Sequence, residues 1–123
     1  MKIYFTSRYK NKEKILSLTD ILEKNKHKVV SSWINEPLLK PYSQNEKQCG
    51  LMAKKIEAEI IKSDIFILIS DRAGTDMFVE LGIAIACNKK IFIVGKYNKR
   101  SLMHFYPKIK HINTMDDLLK IIK

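Results

Sequence analysis

Residues 63–95, SDIFILISDRAGTDMFVELGIAIACNKKIFIVG, contain two short continuous apolar runs with one helix-length segment between them. The runs DIFILIS (64–70) and KIFIVG (90–95) lack polar alternation, as expected for strands covered on both faces. Between them lies an acidic loop containing Gly74, and then residues 75–87 read as a helix. A parallel βαβ unit of this kind places the loop and the start of its helix at the carboxyl edge of the sheet, where ligands of open α/β folds bind. Inside the helical run MFVELGIAIA (77–86), Glu80 is the only charged residue.

The rest of the chain repeats the alternation. KIYFT (2–6) reads as an opening strand. Residues 10–24 have apolar side chains at 15, 16, 18, 21 and 22, which is helical spacing. HKVVS (27–31) reads as a second strand. Residues 33–46 carry Asn35, Pro37, Pro41 and Asn45 and read as a long loop, a length often used for lids or substrate walls. A second helix is expected over 48–62, with Leu51, Met52, Ile56, Ile60 and Ile61 on one face. Residues 101–106 form a turn or short helix stopped by Pro107, and 109–112 a last strand. Asn113 or Thr114 caps a closing helix with Asp116 and Asp117 in its first turn. The order βαβαβαβαβα predicts one domain over residues 1–123. Its expected architecture is a flavodoxin- or Rossmann-like doubly wound α/β sheet of about five parallel strands, ordered 2-1-3-4-5.

Composition narrows the class. An apolar share of 46% in 123 residues supports a real core. No run is long enough for a membrane span, and MKIYFTSRYK lacks the apolar stretch of a signal peptide, so a cytoplasmic protein without membrane partners is expected. Cys49 and Cys87 are too few for a disulfide framework or a zinc site, and Cys87 reads as a buried thiol. The net charge of +10 comes mostly from lysines spread along the chain, since the arginines are only Arg8, Arg72 and Arg100. That pattern reads as a solvated, lysine-rich surface, with a funnel for anionic small molecules as the alternative. Nucleic-acid readers group arginine forks with aromatic platforms, which are not grouped here, so a nucleic-acid partner is not expected. No metal site and no cofactor is expected.

Candidate site residues cluster at the strand ends. Thr6, Ser7 and Arg8 end the first strand; they suit an anion such as a phosphate, or they simply start the first helix. Ser70, Asp71, Gly74 and Thr75 end the third strand: Asp71 is placed to bond a sugar hydroxyl or base edge, and Gly74 allows close backbone approach. Asp76 reads as a helix-start residue. Glu80 lies either on the outer stripe of its helix or at the cleft, where a carboxylate can attack an electrophilic sugar carbon. Gly82 reads as a close-packing residue of that helix. Trp33 either stacks on a flat ligand or anchors the core or lid. His104 is either structural or a titrating group.

Taken in order, KIYFTSR, HKVVSSW (27–33), SDIFILISD (63–71), FVELGIAIACNKKIFIVG (78–95) and MHFYPKIKHINTMDDLL (103–119) resemble the nucleoside 2-deoxyribosyltransferase-like family, which includes deoxynucleotide N-glycosidases. The resemblance covers most of the chain, and ELG-x-A-x-A followed by a lysine-initiated strand is its most specific part. It implies that Glu80 is the nucleophile at C1′ and that Tyr4 orients it. It further implies that Ser7 and Arg8 contact sugar or phosphate, and that Ser70 and Asp71 hold sugar or base. A nucleoside or nucleotide substrate follows, as does a homodimer or larger assembly, because such sites often borrow residues from a neighbouring subunit. Two departures stand out. Many members carry an aspartate on the second helix that handles the leaving base; here Ile56 occupies that position, beside Glu57. The stretch GTDMFVE is also longer than the usual GT-x-x-E.

These readings converge on cleavage of an N-glycosidic bond in a nucleoside or its 5′-monophosphate, with transfer to another base or to water. The competing class is a nucleotide-binding module of the same fold without turnover, which the departure at Ile56 favours. A ribonucleotide phosphoribohydrolase is a third reading, although the chain lacks the Gly-Gly-rich turn of those enzymes and is short for one.

Overall fold

In the computed structural model, which describes residues 1–122, one sheet of five parallel strands runs in the order β2-β1-β3-β4-β5. The strands are β1 (Lys2–Thr6), β2 (Lys28–Val29), β3 (Ile65–Ile69), β4 (Lys90–Val94) and β5 (Lys110–Ile112). The helices are α1 (Lys12–Lys24), α2 (Glu46–Lys62), α3 (Asp76–Ala86) and α4 (Met115–Ile122). The expected doubly wound sheet and its strand order are both present.

The sheet divides two apolar layers. Ile3, Phe5, Ile67 and Phe92 face α1 and α4, where they meet Ile15, Leu18, Leu22, Leu118 and Ile122. Tyr4, Phe66, Leu68 and Ile93 face α2 and α3, where they meet Ile60, Met77, Leu81 and Ala84. All five side chains of β3 are buried. Burial of one such side chain stabilises by about 1.5–3 kcal/mol, so the central strand fixes the register Ile3↔Ile65 and Ile65↔Lys90. Alternation along β1 sends Tyr4 into the α2–α3 layer, beneath the helix that carries Glu80.

Some elements differ from expectation for local reasons. The second strand is only two residues long: the Ser31 hydroxyl, not a carbonyl, accepts the Phe5 amide at 3.1 Å, and the chain then enters a 3-10 turn over Ser32–Asn35. On α2, Leu51 and Ile61 are exposed, and only Ile60 is fully buried. Cys87 is exposed rather than buried, because it lies just beyond α3. Gly82 faces outward, and a Cβ there would meet nothing within 4 Å, so it makes no close packing contact. Thr114 caps α4, its hydroxyl accepting the Asp117 amide at 3.1 Å.

Candidate active site

Glu80 is drawn to the sheet edge. The Tyr4 hydroxyl, fully buried on β1, donates a hydrogen bond to Glu80 Oε1 at 2.6 Å. Glu80 itself is half-buried and lines a cavity of about 420 Å³ beside the carboxyl end of β1, between α2, α3 and the loop before α2. Burial pushes its carboxyl up to about 7; the Tyr4 and Thr6 hydroxyls oppose that rise, while the charges of Asp76 and Glu59 add to it. The Tyr4 phenol is in turn held well above its ordinary value, first by burial and then by Glu80. Tyr4 therefore stays protonated as a hydrogen-bond donor, and the charge on Glu80 is sensitive to pH near neutrality.

The long loop walls the cavity. Leu38, Leu39 and Tyr42 line it, as do Met52 and Ile56 of α2. The loop is tied down by Asn45 Nδ2, which donates to the Leu39 and Pro41 carbonyls at 2.9 and 3.1 Å, and by Tyr9, whose hydroxyl donates to the Glu36 carbonyl at 3.1 Å. The Tyr42 hydroxyl donates to Asp76 Oδ2 at 3.0 Å, joining the loop to the first turn of α3. Burial and the Asp76 contact push Tyr42 up to about 12. Trp33 lines the same cavity, with its Nε1 donating to the Phe5 carbonyl at 2.8 Å, and it packs against both apolar layers. Its ring is thus an anchor with one side on the cavity.

The remaining expected residues divide. Ser7 lines the cavity, and its hydroxyl donates to the Arg8 carbonyl at 2.7 Å. Asp71 does not line it. Asp71 instead gathers cations: Lys10 Nζ lies 3.1 Å away and Arg8 Nη1 3.8 Å away, and the Arg72 amide donates to it at 2.7 Å. Burial opposes ionisation of Asp71, but the Arg72 amide, Lys10 and Arg8 outweigh it and hold the carboxyl below its ordinary value. The Arg100 guanidinium donates to the carbonyls of Asp71 and Arg72, fixing the loop that carries this group. Ser70 accepts the Tyr97 amide at 3.1 Å and lies outside the cavity. Gly74 has φ +114°, and a Cβ there would come within 2.6 Å of Met77 Cε and 3.3 Å of Arg8 Cγ; it lets the Arg8 side chain lie across the loop. Thr75 sits exposed at the start of α3 without a side-chain capping bond.

His104 lies apart from the cavity. It is buried in the 3-10 turn Leu102–Phe105, edge-on to Phe78 with ring centroids 5.2 Å apart, and its Nδ1 accepts the Arg100 amide at 3.0 Å. Burial holds its pKa below the ordinary value, which keeps the ring neutral. Among the described residues no group of three or more His, Cys, Asp or Glu is placed to hold a metal ion, and no helix is long and apolar enough to cross a membrane.

Two residues of the site carried no clear sequence signal. Glu59 on α2 accepts the Ser32 amide at 3.2 Å and lies close enough to raise both Tyr4 and Glu80. Its position three residues past Ile56 puts it about one turn further along α2. Asp76, read as a helix-start residue, lines the cavity. Its spacing of four residues before Glu80 could have revealed that the two share a helix face.

A doubly wound α/β protein with a hydroxyl-supported carboxylate at the edge of its sheet is the class that fold and site define. Among solved structures, the chain is similar to the CMP N-glycosidase BcmB of Clostridium botulinum, at 18% identity with a TM-score of 0.66, over 99% of this chain and 98% of that one. No family model and no curated protein matches the chain. The likeness to BcmB is one of fold, end to end.

Proposed function

We propose that the protein cleaves the N-glycosidic bond of a nucleoside 5′-monophosphate, with water as acceptor. The observation that carries this reading is the Tyr4–Glu80 pair, 2.6 Å apart at the edge of a cavity large enough for a nucleotide. The name of its structural neighbour, a CMP N-glycosidase, supports the same substrate class.

In the proposed reaction a Glu80 oxygen attacks C1′ while the bond from C1′ to the base nitrogen breaks, and its electron pair leaves with the base, which takes up a proton. Water then attacks C1′ of the glycosyl ester, loses a proton and releases Glu80 as carboxylate. The products are a free base and a sugar 5-phosphate. Tyr4 positions Glu80 and stabilises its ionised form. Ser7, Arg8 and Lys10, at the end of β1, are the groups assigned to the 5′-phosphate, a role favoured by the cations gathered there. Asp71 holds those cations in place rather than touching the base. Among the described residues, those of α2 that line the cavity, Met52 and Ile56 among them, include no carboxylate to hold an incoming base, and this favours water over base exchange. A homodimer and a cytoplasmic location remain part of the proposal.

Chromatography of free base released from a panel of nucleosides and nucleotides, with and without an acceptor base, tests the reading. Release from monophosphates by the wild type and none by Glu80→Gln is expected. Ligand-induced thermal shifts without any released base would establish a binding module instead.

A further inference from the structure

The cavity holds a second carboxylate to which this chemistry gives no part. Asp76 precedes Glu80 by four residues on α3, so the two side chains share a helix face with Cβ atoms roughly 5–6 Å apart, and both line the cavity. Asp76 Oδ2 accepts the Tyr42 hydroxyl at 3.0 Å, and among the described residues Oδ1 has no hydrogen-bond partner and no lysine or arginine pairs with the group. A helix-start aspartate needs no such tether. The hydrogen bond fixes one oxygen, and the exposed side chain leaves the other without a protein partner beside the cavity space that Glu80 also lines.

Stereochemistry says what would occupy that space. In a β-nucleoside the base leaves from one face of the furanose, so Glu80 must approach C1′ from the opposite face. The 2′- and 3′-hydroxyls of ribose project from that opposite face, and the 2′-oxygen is on the carbon next to C1′. We propose that Asp76, held by Tyr42, accepts a hydrogen bond from the sugar 2′-hydroxyl and makes ribonucleotides preferred over 2′-deoxyribonucleotides. This rests on the glycosidase reading above and assigns the sugar of its substrate. A 2′-hydroxyl withdraws electrons from C1′ and opposes charge build-up there. Hydrogen bonding to a carboxylate returns electron density to that oxygen, and the bond strengthens as positive charge develops at C1′. The benefit therefore falls on kcat more than on KM.

The test measures kcat and KM for CMP and dCMP with the wild type, Asp76→Asn, Asp76→Ala and Tyr42→Phe, with thermal melting as a check on folding. The wild type is expected to prefer CMP, and Asp76→Ala to lower kcat on CMP by roughly 10- to 100-fold. The fall is smaller on dCMP, which offers no 2′-hydroxyl, so the CMP-to-dCMP ratio drops toward one. Tyr42→Phe loses part of the same ratio. If Asp76→Ala does not fold, the near-isosteric Asp76→Asn reports the same ratio. An equal fall on both substrates, or a wild-type preference for dCMP, overturns the role of Asp76 and leaves nucleotide cleavage standing. No base released from either nucleotide by folded wild-type protein overturns both.

Discussion

The Tyr4 hydroxyl and Glu80 Oε1 stand 2.6 Å apart although 76 positions separate them in the chain. The contact crosses from the sheet to the helix layer and joins two opposed influences on one carboxylate. Burial drives Glu80 toward the neutral acid, and the phenol donor favours the ionised form that a nucleophile requires. The result is a carboxyl pushed up to about 7, within the range where changes of pH near neutrality alter its charge.

Tyr4→Phe removes one of the two hydroxyls that oppose burial, so the Glu80 carboxyl rises further. In the proposed reaction the nucleophile is ionised Glu80, so activity is expected to climb as pH passes through its pKa. The acid limb of kcat/KM is expected near pH 7 in the wild type and higher by roughly one unit in the variant. A pH–rate profile reads this directly; an unshifted limb with a lower plateau would mean that Tyr4 only packs.

Glu80→Gln is expected to change stability in a pH-dependent way, apart from any loss of the proposed activity. An ordinary glutamate carboxyl ionises near 4.5, while this one does so at about 7 in the folded protein. Between those values the folded state binds more protons than the unfolded state, so stability falls as pH rises and stays low above 7. Glutamine cannot ionise and escapes the loss, on the order of 2 kcal/mol after allowance for partial solvent screening. Thermal melts are expected to show the variant more stable than wild type at pH 8 and level with it at pH 4. The same gap at both would sink the account.

Arg8→Ala tests the assignment of the 5′-phosphate. The ratio of kcat/KM for the monophosphate to that for the plain nucleoside is expected to fall about tenfold, the scale of one charge-assisted hydrogen bond. Raising the salt concentration should erode the wild-type ratio, because capture is steered by exposed charge. A ratio indifferent to both changes would place the phosphate elsewhere.

Two glycines are expected to respond with opposite sign. Gly82→Ala adds a methyl to an outward helix position with nothing within 4 Å, and should raise stability by about 0.5–1 kcal/mol. Gly95→Ala forces a side chain onto a residue at φ +113°, with its Cβ 2.7 Å from Ser70 Oγ, and should cost about 1–3 kcal/mol. Denaturant titration of both variants checks the pair.

The central strands were legible because β3 and β4 are covered on both faces and therefore read as continuous apolar runs. The edge strand β2 was harder: its ladder ends at Ser31, where a side-chain hydroxyl replaces a carbonyl, and no apolar pattern marks that substitution. Glu80 was legible as the lone charge in an apolar helix. Whether it faced solvent or the cleft depended on Tyr4, and a contact across 76 positions leaves no local trace. Asp71 was misleading because its place after a strand suits a ligand group equally well as a holder of cations, and the lysine nearest to it, Lys10, comes from a distant turn. His104 gave no sign of its burial beneath Phe78, since both residues stand among apolar neighbours in sequence.

Asp76 and Glu80 ride on a single helix, so neither loop nor hinge adjusts the gap between them. Their relative aim is set in discrete steps: one residue inserted or removed between them turns one carboxylate by about 100° and advances it by about 1.5 Å. A cavity built this way admits few intermediate designs. The loop through Tyr42 bounds the cavity beside the two acids, and the acids themselves form a ruler of fixed divisions against which the sugar of the proposed substrate would be measured.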